Sequence, residues 1–153
     1  AFAVKYQGYF AGGARSANAR IEYWNVAWQT ATNRPLLGSG PGTFYAIYRQ
    51  AKRPEAEMAR LVHNDYLQQA ADSGIIGLLA FGGFIGASLA VLYSLTHQDL
   101  EKFSVWLGLF GWAAQGFVEF ALYIPALAWV AFFLIGWLWT ATVNQFDTIS
   151  PQP

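Results

Sequence analysis

The 153 residues carry nine basic and nine acidic side chains, so the chain has no formal net charge, and no nucleic acid is expected among its partners. The absence of cysteine removes disulfides, thiol nucleophiles and cysteine metal sites together. With 55% hydrophobic residues, 12% charged residues and a mean hydropathy of +0.27, the chain is too apolar for an ordinary soluble domain.

The average conceals two unlike parts. Of the 18 charged residues, 13 lie at or before Asp72, and only Asp99, Glu101, Lys102, Glu119 and Asp147 follow. The composition therefore breaks near residue 73. We expect residues 1–73 to form a helical segment outside the bilayer, residues 74–143 to cross it three times, and residues 144–153 to form a tail on the opposite side.

In the first part, Ser16, Ala17 and Asn18 offer capping residues for a helix over 19–32. Its spacing puts Arg20, Trp24, Ala27 and Ala31 on one face, so Arg20 projects beside an apolar stripe. Asn33-Arg34-Pro35 ends that helix. The stretch 36–44 is a glycine-rich turn with Gly38, Gly40 and Gly42 at alternate positions. It is not a dinucleotide loop: the spacing differs from G-x-G-x-x-G, no strand precedes it and no Walker lysine follows. It reads either as a tight connection between closely approaching helices or as a ligand-contacting loop.

A short helix is expected over 44–51, then a solvated, mobile loop over 52–57. A further helix is expected over 57–71, with Gly74 as its C′ residue. On it, His63, Tyr66, Leu67 and Ala70 would share a face with Asn64 and Gln68 alongside. His63 reads either as an interfacial packing residue or as a functional imidazole.

Residues 75–95 contain no charge, and 21 residues at about 1.5 Å each span a hydrocarbon core of roughly 30 Å. A polar turn over 97–102 leads to a second expected span over 103–123, interrupted by Glu119. Pro125 opens a third over 125–143, where its missing N–H has no partner to lose. Trp137 and Trp139 near its end suit a headgroup belt. Gly82 and Gly86 make a small-x-x-x-small pattern for helix packing. Glu119 is expected to face a cavity or a partner, as ionisable residues in apolar runs do. A start without methionine and the late position of the spans lead us to expect a piece of a longer polytopic protein.

Eight of nine basic residues precede the first span, and a literal positive-inside count would leave them in the cytoplasm. The rule applies to short loops, whereas this segment exceeds 70 residues. The excess of bases over acids there points instead to a field attractive to an anionic ligand.

The order of features then becomes informative: Arg20-Ile21-Glu22-Tyr23-Trp24-Asn25-Val26-Ala27, Pro35-Leu36-Leu37-Gly38-Ser39-Gly40-Pro41-Gly42-Thr43-Phe44, His63-Asn64-Asp65-Tyr66-Leu67, and Gly74-Ile75-Ile76-Gly77-Leu78-Leu79. Together they closely resemble the O-antigen ligase family, over residues 20–79 and more loosely over 115–128. The resemblance implies an all-α, multi-pass protein of the bacterial inner membrane, of the GT-C type, with residues 1–73 in the periplasm. It implies a metal-independent glycosyltransferase of lipopolysaccharide biosynthesis, without a cofactor. Such an enzyme moves a glycan from undecaprenyl pyrophosphate to an acceptor, either lipid A core or a protein. Ligation, polymerisation of repeat units and protein O-glycosylation use the same carrier, and the motifs do not separate them. A transporter or scaffold, with the basic segment on anionic lipid and Glu119 in an ion path, is the reading of another class.

Breaking a sugar to pyrophosphate bond builds negative charge on the leaving group, which the planar arginine fork can meet. Arg20, on a helix and at the family position, is the expected pyrophosphate residue; a surface ion pair is its alternative. Arg34 is a second phosphate candidate. His63 is expected to act as general base or to orient the acceptor, with Asn64 and Tyr66 as supporting substrate contacts. Gly38, Gly40 and Gly42 are expected to shape the loop more than to touch sugar.

Overall fold

In the computed structural model the backbone is described for residues 2–149 and side-chain environments for residues 18–142. All the regular structure in the described backbone is helical, without strands: α1 (Phe2–Asn33), α2 (Phe44–Ala51), α3 (Asp65–Thr96), α4 (Leu100–Gln115), a single 3-10 turn (Ala121–Tyr123) and α5 (Pro125–Ile149). Helix α1 runs unbroken through residues 16–18, so the expected start at residue 19 is overturned. A capping side chain only helps where the helix ends, and here it continues. The side chains of Ser16 and Ala17 lie outside the described residues.

Two apolar clusters hold the chain together. In the first, α1, α2 and the start of α3 bury Tyr23, Ala27, Phe44, Tyr48, Val62 and Ala71. Phe44 stacks on Tyr48 at 5.5 Å, and Tyr23 meets Tyr48 edge-on at 5.2 Å. Full burial of each such ring is worth about 1.5–3 kcal/mol. The Tyr48 hydroxyl donates to the Glu57 carbonyl at 3.0 Å, and burial pushes its pKa up to about 12, so it stays a donor. In the second cluster, α3, α4 and α5 interlock through Ile85, Leu92, Leu109, Ile135 and Leu138.

Helices α3 and α5 are long and apolar enough to cross a membrane, α5 over Pro125–Thr142. The second expected span differs. Helix α4 stops at Gln115, and its 16 residues reach only about 24 Å; residues 116–120 then leave helical geometry before the 3-10 turn. A continuous helix over 103–123 is therefore overturned. Gly116 is where it ends: its backbone lies so close to α3 that an added Cβ would come within 3.2 Å of Asp65 Oδ2. Pro125 does open α5, with Ile124 extended before it as a residue preceding proline prefers. That helix continues to Ile149, past the expected boundary at 143; residues 150–153 lie outside the described residues.

The largest departure is at the start of α3. Residues 57–64 are not helical, and the helix begins at Asp65 with Asn64 as N-cap, its Oδ1 accepting from Leu67 N at 2.9 Å. The expected helix over 57–71 is thus shortened by eight residues, and His63 stands before the helix, not on its face.

At Gly74 (φ 67°, ψ −163°) α3 breaks, dividing it into arms 65–73 and 75–96. Only glycine adopts that conformation readily. The short arm folds back, so that the rings of Tyr66 and Phe81 lie 5.6 Å apart; a straight helix would separate these residues by about 22 Å. The glycine-rich turn is wedged at the break. Ser39 N and Gly40 N donate to the last carbonyls of the short arm, Ala71 O and Asp72 O, both at 2.9 Å, and Ile75 N donates to Pro35 O at 2.7 Å. At Gly38 a Cβ would lie 2.5 Å from the Asp72 carbonyl carbon, and at Gly74 2.3 Å from Leu36 O.

The loop over 52–57 is more tied down than expected. Glu22 accepts from both the backbone and the guanidinium of Arg53, each at 3.2 Å, and Lys52 Nζ donates to the Ala56 carbonyl at 2.8 Å. A Cβ added at Gly82 or Gly86 meets nothing within 4 Å, so the expected helix packing at these glycines does not occur among the described residues.

Candidate functional site

Three segments remote in sequence meet at one carboxylate. Helix α1 presents Arg20, the residue before the N-cap of α3 presents His63, and the non-helical stretch after α4 presents Glu119. Glu119 Oε1 lies 2.5 Å from Arg20 Nη2, and Oε2 lies 3.4 Å from His63 Nδ1. Arg20 Nη1 also donates to the Val118 carbonyl at 2.9 Å. The three side chains are each about one-third exposed (31%, 30% and 32%), which keeps them reachable by a ligand.

The imidazole is confined on both sides. Tyr23 stacks on it at 5.8 Å and Phe120 meets it edge-on at 4.6 Å. The His63 backbone takes a positive φ of 57°, uncommon for a side chain with a Cβ and worth roughly 1–2 kcal/mol of strain. Its neighbours hold it there. Trp24 Nε1 reaches the His63 carbonyl at 3.4 Å, and Gln68 Oε1 accepts from Val62 N at 2.9 Å. Strain over-determined in this way is characteristic of functional positions.

The residues following His63 act as a clamp on the end of α4. Asn64 Nδ2 donates to Phe117 O at 2.8 Å, and Asp65 N donates to Gly116 O at 2.7 Å. The buried Asp65 carboxylate accepts from Leu122 N at 3.0 Å. The Tyr66 hydroxyl donates to Ala113 O at 2.9 Å, while its ring stacks on Phe117 at 4.2 Å. One residue of His63-Asn64-Asp65-Tyr66 presents an imidazole, and the other three fix the segment that carries Glu119.

The structure thus brings Arg20 and His63 together. It places Asn64 and Tyr66 beside them, but with their polar groups engaged in that clamp. Gly38, Gly40 and Gly42 all have positive φ and sit against the far end of the short α3 arm. Arg34 is exposed just beyond the end of α1, about 20 Å along the helix axis from Arg20. Glu119 was visible in the sequence as an isolated charge in an apolar run, but its partners were not: Arg20 is 99 positions away and His63 is 56. As expected of an ionisable residue in an apolar run it faces partners, but from a turn outside helical structure and not from a continuous helix. Among the described residues no group of three or more His, Asp or Glu side chains is placed to hold a metal ion.

A family model described as O-antigen ligase matches residues 2–82, more than half of the chain, and covers both Arg20 and His63. No curated protein matches the chain.

Proposed function

Since the chain belongs to the O-antigen ligase family, we propose that it forms the acceptor-activating and pyrophosphate-binding part of a GT-C-type membrane glycosyltransferase. On this reading it moves a glycan from undecaprenyl pyrophosphate to lipid A core, independently of a metal ion. The observation that carries it is the meeting of a guanidinium and an imidazole at the Glu119 carboxylate.

The acceptor hydroxyl oxygen attacks the anomeric carbon of the lipid-linked sugar. The bond from that carbon to the pyrophosphate oxygen breaks, and its electron pair leaves with the phosphate. His63 takes the hydroxyl proton and later releases it to water; Arg20 meets the charge that grows on the leaving group. The products are the glycosylated acceptor and undecaprenyl pyrophosphate.

In this proposal residues 1–73 face the periplasm of a bacterial inner membrane, and the chain crosses the bilayer in α3, α4 and α5. The bond from Asp65 N to Gly116 O supports the count, because it puts the end of α4 on the side where α3 began. The test is transfer by the full-length protein in proteoliposomes supplied with an undecaprenyl-pyrophosphate oligosaccharide and lipid A core. Glycosylated lipid A is expected, and His63→Ala and Arg20→Ala are each expected to abolish it while inserting normally into the membrane. Near-normal transfer by either variant removes that residue from the mechanism. Transfer only to a peptide hydroxyl, or only to another repeat unit, would replace the acceptor; donor bound but never consumed would replace the enzyme with a transporter.

A further inference from the structure

Building on that reading of the site, we propose that Glu119 is a positioning residue for the transfer, fixing the His63 imidazole and the Arg20 fork in their working orientations. A carboxylate only accepts hydrogen bonds, so an imidazole nitrogen paired with it carries the proton. With Nδ1 of His63 turned to Glu119 Oε2, Nε2 is left as the unprotonated nitrogen that can take a proton from an acceptor. Nε2 has no hydrogen-bond partner among the described residues, and the ring is partly exposed. Tyr23 and Phe120 fix the ring plane but make no hydrogen bond to it, so the carboxylate selects which nitrogen faces outward.

The other oxygen does comparable work on Arg20. Of the five N–H donors of a guanidinium, one is used by Glu119 and one by the Val118 carbonyl. The remaining donors make no hydrogen bond among the described residues, so a pyrophosphate can be met without breaking the pair. Glu119 is itself held still. Its N–H donates to Gln115 O at 2.9 Å, and Phe117 O and Leu122 N on either side are bonded to Asn64 and Asp65. A carboxylate on a clamped turn, contacting both functional side chains with separate oxygens, is suited to preorganise them.

The test uses the full-length protein in proteoliposomes, with an undecaprenyl-pyrophosphate oligosaccharide as donor and lipid A core as acceptor. Glu119→Gln is expected to lower kcat by roughly tenfold to a hundredfold, part of the 10²–10⁴ that general base catalysis supplies. The KM for donor should stay within about threefold, because Arg20 keeps its charge and its unused donors. Glu119→Asp should recover a measurable share of kcat. Inorganic pyrophosphate should still bind the Glu119→Gln protein but not Arg20→Ala, and the Tm of Glu119→Gln should stay near wild type. A wild-type kcat for Glu119→Gln overturns the proposal, as does a fall in kcat matched by a fall in Tm with no advantage for Glu119→Asp. If His63→Ala and Arg20→Ala remain inactive in the same assay, only the role of Glu119 has failed; if they are active too, the reading of the site has failed with it.

Discussion

Replacing Gly74 by alanine tests the idea that the break in α3 sets the position of the site. At φ 67° and ψ −163° a residue with a Cβ costs about 1–3 kcal/mol in backbone strain alone. The added Cβ would also stand 2.3 Å from Leu36 O, well inside the 3.0 Å that real Cβ contacts essentially never breach, and the obstacle is backbone. The turn over 35–40 must therefore withdraw, weakening the bond from Ile75 N to Pro35 O and those from Ser39 N and Gly40 N to the short arm. Each such bond contributes about 1 kcal/mol, so the total is roughly 3–5 kcal/mol. For a chain of this size that corresponds to a fall in Tm of roughly 6–20 °C, measured by thermal unfolding in detergent. Gly82→Ala is the matched control: its Cβ meets nothing within 4 Å, and alanine is favoured over glycine in a helix by about 0.5–1 kcal/mol. Equal Tm values for the two variants would refute the reasoning.

Two further outcomes follow from the geometry. Arg34→Ala is expected to leave transfer within about threefold of wild type, since Arg34 is exposed and roughly 20 Å from Arg20; a hundredfold loss in a glycan-transfer assay would return it to the site. The tether from Glu22 to Arg53 is expected to loosen in acid. The hydrogen bonds and charge of Arg53 hold the Glu22 carboxyl below the ordinary value of 4.5. Its stabilising contribution is therefore fully present above the unfolded-state pKa and is lost as pH falls through the lower folded value. Protection of the amides over 52–57, corrected for the intrinsic pH dependence of exchange, should be unchanged from pH 7 down to about 5 and fall only as the pH drops below the ordinary carboxylate range; protection lost near neutrality instead would contradict this assignment.

Some of this architecture was readable from local chemistry. The charge-free run at 75–95 lies within α3, the short helix at 44–51 has the expected bounds, and Pro125 opens α5. Those elements depend on composition and on single residues with strong backbone preferences. What was not readable depends on tertiary partners. Residues 57–62 have helix-forming side chains, yet Ala59 and Val62 are buried in the first cluster in a non-helical path, and burial overrode propensity. Asn64 followed by Asp65 was a usable signal for the true start, being an N-cap with an acid in the first turn. The end of α4 was hidden because Gly116 and Phe117 continue an apolar pattern, and the residue that bonds the chain on either side of the break is Asp65, 51 positions earlier. At the site, the chemistry of Arg20 and His63 was legible from residue type and motif. Their common partner was not, because no spacing rule relates positions 20, 63 and 119.

The distance in sequence between Arg20 and Glu119 also has a consequence for biogenesis. At about 5–20 residues per second, the 99 positions between them take roughly 5–20 seconds to synthesise. For the last 56 of those positions the nascent chain has both its arginine and its imidazole but not the carboxylate that brings them together, and the turn bearing that carboxylate follows α4. The site is therefore completed only when the later helices have been made and seated, so a partly inserted chain has no finished centre to expose to lipid-linked sugars.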